Sequence, residues 1–448
     1  MRRREALGLA GAGMLGMALT ACGSGRSATS SSTSDAASAS PRVGADGVLA
    51  VKASRMSPGP ASTAGADLTE FGVRLFLADS SIPPTGNGSI SPYSAYAALA
   101  MTDAGAKGTT AQQLAAAMGG GQQRQAANVT AVDTAIAAAI NAGNATSTGA
   151  GGAPMVIQAA NSLWPDASLH INVAYLRQLA VGYAAGVHVV DYRQDPTAAV
   201  GKINAWVAER THDLIPTLLS NGSVSPATQL EIVNALYLNA SWTIPFTKAA
   251  APTDFTTASG GTVKASQMTA TSSFGAAHGS GWVSVTVPYV GSGVAMTIVL
   301  PDPGCFAAVR AQLASVLPVA TAARISGTTP RETGLVHLSM PSFTMTTNSS
   351  LVSALRDLGV TQLFDGPDLS GIAGAPGEIT VGSVIQQSVV KVDEYGTQAA
   401  ASTAVGMTAG AVPQVLDSVV VDRAYFYAIH DTTTHAPLFL GQVSDPTT

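Results

Sequence analysis

The chain offers two thiols and seven imidazoles as its nucleophilic and metal-ligating side chains, and none of them falls in a motif that carries such chemistry. The histidines are His170, His188, His212, His278, His337, His430 and His435. No H-E-x-x-H, no G-x-S-x-G nucleophile turn and no phosphate-binding loop occurs. A triad assembled from distant residues leaves no local motif, so only the motif-bearing enzyme classes are excluded. Cys305 lies in Leu300-Pro301-Asp302-Pro303-Gly304-Cys305-Phe306, just past an apolar run, and reads as a packed free thiol. Two widely spaced thiols are too few for a zinc site, and no metal or cofactor is expected. The balance points to binding or inhibition rather than turnover.

The N-terminal groups read as an address. Gly11-Ala12-Gly13-Met14-Leu15-Gly16 matches G-x-G-x-x-G, but it lies inside an apolar run over residues 6–20, so dinucleotide binding is discarded. Arg2, Arg3 and Arg4 precede that run, and Leu19-Thr20-Ala21-Cys22 closes it as a lipobox. The segment resembles a bacterial lipoprotein signal, and the paired arginines point to twin-arginine export. Residues 1–21 are therefore expected to leave as a signal peptide, with Cys22 lipidated and the protein held outside the cytoplasmic membrane. An ordinary secretory signal is the alternative. A spanning helix is disfavoured, because the run falls short of the roughly 20 residues a crossing needs. Residues 22–62 are rich in Ser, Ala, Gly and Thr and are expected to form a flexible tether to a folded body over 63–448. The formal charge is −5 with no basic run beyond the first four residues, so nucleic acid is a poor partner.

One segment carries chemistry of another kind, as bait. After Val392-Asp393-Glu394 come Tyr395-Gly396-Thr397-Gln398-Ala399-Ala400-Ala401-Ser402-Thr403-Ala404-Val405-Gly406-Met407, and no residue from Tyr395 to Val415 is charged. A connection this long between two strong strands is uncommon inside a folded body and often functional. Alternate residues of a strand face opposite ways. Thr397, Ala399, Ala401 and Thr403 would share one face, and Gln398, Ala400, Ser402 and Ala404 the other. Both sets are small and uncharged, without proline, so the segment can enter a packed sheet without burying a charge or overfilling a core.

The elements around it indicate an α+β domain, with early helices followed by long strands. Apolar spacing predicts helices over 67–79, 95–105, 109–118, 199–210 and 351–358. Ser91 is a plausible cap with Pro92 at the first helical position. Alternation and β-branched content predict strands over 230–240, 283–288, 295–300, 336–341, 385–392, 419–429 and 438–443.

These blocks together resemble the serpin family, over about residues 65–446. Asp393-Glu394-Tyr395-Gly396-Thr397-Gln398-Ala399-Ala400-Ala401 is similar to its acidic-x-Gly-Thr-Glu-Ala-Ala hinge. Asn87-Gly88-Ser89-Ile90-Ser91-Pro92-Tyr93-Ser94, followed by Ala104-Gly105-Ala106-Lys107-Gly108-Thr109-Thr110, resembles the N-x-x-x-S-P-x-S and GAKG-x-T block. Val233-Asn234-Ala235-Leu236-Tyr237 with Trp242, Pro245 and Phe246, then Leu338 to Phe343, Asp368-Leu369-Ser370-Gly371-Ile372 and Pro437-Leu438-Phe439-Leu440-Gly441-Gln442-Val443 follow in the family's order.

The resemblance implies helices packed on large mixed and antiparallel sheets with an exposed reactive-centre loop. It implies inhibition of a serine protease that cuts this loop and is trapped as the loop enters the central sheet. It implies roles residue by residue. Glu394, Gly396, Thr397, Ala399, Ala401 and Thr403 form the hinge. Ser91, Ser94, Asn234 and Gln386 match the shutter, and Trp242 the breach. Family loop length places the cut at Gly410-Ala411, where small residues suit elastase-like or subtilisin-like proteases. No residue is catalytic, and a monomer is expected.

Four departures stand out: Gln398 for the hinge acid, Gln386 where a histidine is common, Ala424 for the proline after Arg423, and a longer loop. Three alternatives remain: a serpin that is only cut or only binds, a lipid-anchored receptor for a small ligand, and a hydrolase whose triad leaves no local motif.

Overall fold

Helix signals along the chain are local, and they build the layers that cover the central sheet. The protein is seen in a computed structural model that describes residues 41–43, 47–150, 154–323, 335–397 and 415–448. The signal segment, Cys22, Ala399, Ala401, Thr403 and the Gly410-Ala411 bond lie outside the described residues. The first six helices are α1 (Ala61–Ala78), α2 (Pro92–Asp103), α3 (Gly108–Ala117), α4 (Gln122–Ala150), α5 (Val173–Tyr183) and α6 (Pro196–Arg210). In α2 the Ser91 hydroxyl accepts from the Ser94 amide, and Pro92 takes the first turn, where its missing N–H costs nothing. Every residue of α2 is buried, which explains its run of alanines and serine. Asp195 caps α6 in the same way, ahead of Pro196.

The central sheet contains β1 (Val156–Pro165), β2 (Leu230–Ser241), β3 (Phe343–Ser350), β4 (Val381–Asp393) and β5 (Gly396–Thr397), in the spatial order β3-β4-β5-β2-β1. β2 is buried almost throughout, because both faces of the sheet are covered. Ile232, Leu236 and Leu238 enter the main core. Val233 and Ala235 face the other way, into a second cluster with Ile203 and Val207 of α6 and Trp164. The described residues also form a six-stranded, a four-stranded, a three-stranded and a two-stranded sheet.

The α+β architecture agrees with the sequence expectation, and several boundaries change. The predicted 419–429 strand is two strands, Val415–Val420 and Tyr425–Asp431. The first pairs with Leu335–Pro341 and the second with Val294–Pro301, so the chain changes sheet between them. Arg423 holds that crossing by donating to the Pro301 carbonyl. Helix α1 begins earlier than residue 67, and α4 and α5 were not anticipated.

Of the segment expected to be a tether, residues 41–43 and 47–62 are described, and they pack on the folded body. Arg42–Val43 and Val48–Ala50 form a hairpin that continues onto Val187–His188. The following residues are strapped to the body: Met56 N–H donates to Val181 O and Gly59 N–H to Ala127 O. Arg55 meets Asp133 at 2.5 Å and donates to Gly182 O. Tyr93 also donates to that carboxylate. Few large apolar residues are needed for this, because the strap is held by backbone bonds and one ion pair.

Candidate functional site

Of the predicted hinge residues, Gly396 and Thr397 lie at one end of the central sheet, between β4 and β2. Val392 pairs with Thr397 and Asp393 with Gly396, while across the other edge Gly396 pairs with Ser241 and Thr397 with Ala240. The turn before β5 is pinned from outside. Trp242 N–H donates to Tyr395 O, its indole N–H to Asp393 O, and Phe246 N–H to Glu394 O. Trp242 is buried and stacks on Tyr289 with ring centroids 4.4 Å apart. Glycine is required at 396 for space: a Cβ there would stand 2.1 Å from Ala240 O. Thr397 is only 3% exposed, and its hydroxyl shares a hydrogen bond with the Tyr289 hydroxyl. Burial pushes the Tyr289 phenol well above its ordinary range, so it stays neutral and free to donate.

Below this wedge the sheet changes character. Residues 230–235 of β2 and 381–387 of β4 pair directly and in parallel. Residues 236–239 of β2 and 388–391 of β4 lie between the two zones, with no ladder pair to each other among the described residues. The seam is thus wedged at one end and closed at the other.

The four predicted shutter residues come together where the closed zone begins. Gln386 accepts from Ser91 N–H at 2.9 Å through Oε1, and its amide donates to Ser91 O at 3.0 Å and to Asn234 Oδ1. Asn234 in turn donates to Ile385 O at 3.1 Å. The Ser94 hydroxyl bonds Ala235 O and Asn161 Oδ1. All of these are buried except Asn161 and Ile385, which are half-buried, so most of these bonds replace ones that water would otherwise supply. Gln386 does here, with one acceptor and two donors, what two separate groups would otherwise do: it ties α2 to β4 and β4 to β2. The network continues through Ser89, whose hydroxyl meets that of Ser388 at 2.7 Å.

Sequence reasoning missed Tyr289, Asn161, Ser89 and Ser388, and also Glu231. Only Glu231 left a readable signal, as a lone acid in the otherwise neutral strand over 230–241. Cys305 is a free, half-buried thiol beside Phe306, as its sequence context indicates.

The family model described as serpin (serine protease inhibitor) matches residues 66–446. Serpin-Z2A of Oryza sativa subsp. japonica is 31% identical, over 85% of this chain and 97% of that protein. The leukocyte elastase inhibitor of Bos taurus is 32% identical, over 84% of this chain and 98% of that protein. The native-state crystal structure of the thermophilic serpin tengpin shares the fold with a TM-score of 0.72 at 24% identity, covering 88% of this chain and 97% of that one. On the family match and these identities, the chain belongs to the serpin family of serine protease inhibitors.

Proposed function

We propose that the chain inhibits its protease as a suicide substrate, by completing β5 as a full strand once the segment beyond Thr397 has been cut. The observation that carries this reading is the half-open seam, in which Gly396 and Thr397 already hold strand positions between β4 and β2. Continued antiparallel register brings Ala399, Ala401 and Thr403 onto the face of Thr397, and brings Thr403 level with Asn234 and Gln386. Each is small and uncharged, so the strand adds ladder bonds without burying a charge. The protease serine forms an ester with the cut carbonyl as the amine leaves with its proton. Insertion then carries the ester away from the protease's water-activating groups.

The cut is placed at Gly410-Ala411, with small flanking residues that fit the shallow pockets of elastase-like or subtilisin-like enzymes. Mass spectrometry after incubation with a small panel of serine proteases checks both points. The expected products are a complex that survives denaturing electrophoresis and a released peptide beginning at Ala411. Cleaved chain alone, with every protease, sinks the trapping reading.

The lipobox and the preceding arginines support a second element of the reading, anchorage through a lipid on Cys22 at the outer face of the cytoplasmic membrane. Cys22→Ser is expected to abolish fatty-acid labelling and to release the protein from the membrane fraction. Labelling that persists in the variant overturns it.

A further inference from the structure

At the closed end of the seam a carboxylate crosses from one strand to the other. Glu231 of β2 is 1% exposed, and its register partner on β4, Ser383, donates its hydroxyl to Oε2. The other oxygen, Oε1, has no hydrogen-bond partner among the described residues. It lies against Gly382, where a Cβ would stand 2.3 Å from it. Gly382 sits at the register shift between Val381 and Ser383. β4 therefore supplies both a slot and a donor, and β2 supplies the acid. Glu231 alternates with Val233 and Ala235, so it lies on the face covered by α6, whose Ala199, Val200, Ile203 and Val207 are apolar there. Tyr192, whose phenol donates to Trp164 O, is the titratable group that faces it; Asp166 accepts from the Tyr192 amide beyond.

We propose that the Glu231–Ser383 pair is a latch that governs how readily β2 and β4 part, and so sets the fraction of protease encounters that end in a trapped complex rather than in release. The inference rests on the trapping reading above. Insertion opens the seam from Ala240 downward. The shutter at Asn234 parts first, and the latch follows about 30 Å from the wedge, at ~3.3 Å per residue. The pair therefore resists the last part of the strand's travel, which moves the protease furthest.

The chemistry of the acid sets the conditions. Burial raises Glu231 to about 7, only partly offset by the Ser383 bond. Parting the strands admits water and returns the carboxyl toward its ordinary range. The closed seam thus binds the proton more tightly than the open one. Its advantage is complete below the ordinary carboxylate range and is lost as pH rises to about 7. Opening accelerates over that interval and levels off above it.

The test uses a synthetic peptide of residues 397–406 and the full chain, and follows peptide uptake on native gels from pH 5 to pH 8. Wild type is expected to take up peptide roughly tenfold faster at pH 8 than at pH 5. Glu231→Gln keeps the shape and a bond to Ser383, and is expected to show a flat profile. Ser383→Ala keeps the acid and loses the tie, and is expected to take up peptide faster at every pH with the slope retained. A wild type that takes up peptide at a pH-independent rate, or a Glu231→Gln profile that follows wild type, overturns the latch alone. A wild type that takes up no peptide and traps no protease overturns the trapping reading, and the latch with it.

Discussion

Replacing Thr397 with arginine will leave the protein folded and cleavable but unable to hold a protease. Thr397 is 3% exposed, its backbone is paired on both sides, and its hydroxyl meets that of Tyr289. An arginine at this place would put an unpaired guanidinium beside the stacked Trp242 and Tyr289 rings. Leaving one charge buried without a partner costs about 3–5 kcal/mol. The body need not absorb that cost, because β5 has only two residues and can leave the sheet. Insertion cannot avoid it, since every later residue follows Thr397 into the seam. The yield of protease complex on denaturing gels is expected to fall at least about a hundredfold, at ~1.4 kcal/mol per decade, while cleavage continues. Thr397→Ser, which keeps the hydroxyl, is expected to trap normally. An arginine variant with unchanged yield contradicts insertion.

Gln386→Ala is expected to produce the largest loss of native stability. The side chain serves three partners at once, the Ser91 N–H, the Ser91 carbonyl and Asn234 Oδ1. Each buried polar group left without a partner costs about 1–3 kcal/mol, and water entering the cavity recovers part of this. A net loss on the order of 4 kcal/mol follows, measured as a lower urea midpoint with an unchanged slope. The same substitution unties α2 from β4, so peptide uptake at the seam is expected to accelerate. A midpoint within experimental error of wild type would mean that the network holds the sheet through Asn234 and Ser94 alone.

Much of this site was legible because its requirements are local. A residue held between two strands of a covered sheet must be small and uncharged, and Gly396 and Thr397 show that in the sequence. A serine before Pro92 is a cap because of what the first turn of any helix lacks. Other parts were illegible for equally physical reasons. α4 turns Asn128 and Thr130 inward along with its apolar residues, so its stripe is faint. α5 was missed although Leu176, Leu179 and Tyr183 stand at helical spacing. The strap before α1 is held mainly by backbone bonds, which composition does not register. The chain's change of sheet between Val420 and Tyr425 runs through Val421-Asp422-Arg423-Ala424, with no glycine or proline to mark it in the sequence.

By itself, then, the sequence determined that a neutral segment near the C-terminus is able to become a strand, and which family of folds surrounds it. Only the tertiary structure decided that Gly396 and Thr397 hold strand positions between β4 and β2, that the Thr397 hydroxyl meets that of Tyr289, and that Glu231 and Ser383 face each other across the pairing of β2 with β4. The reason is the range of the interactions. Side-chain size and helix capping act within a few residues. The pairing of β2 with β4 joins residues about 150 positions apart, and its register is set by packing on both faces of the sheet.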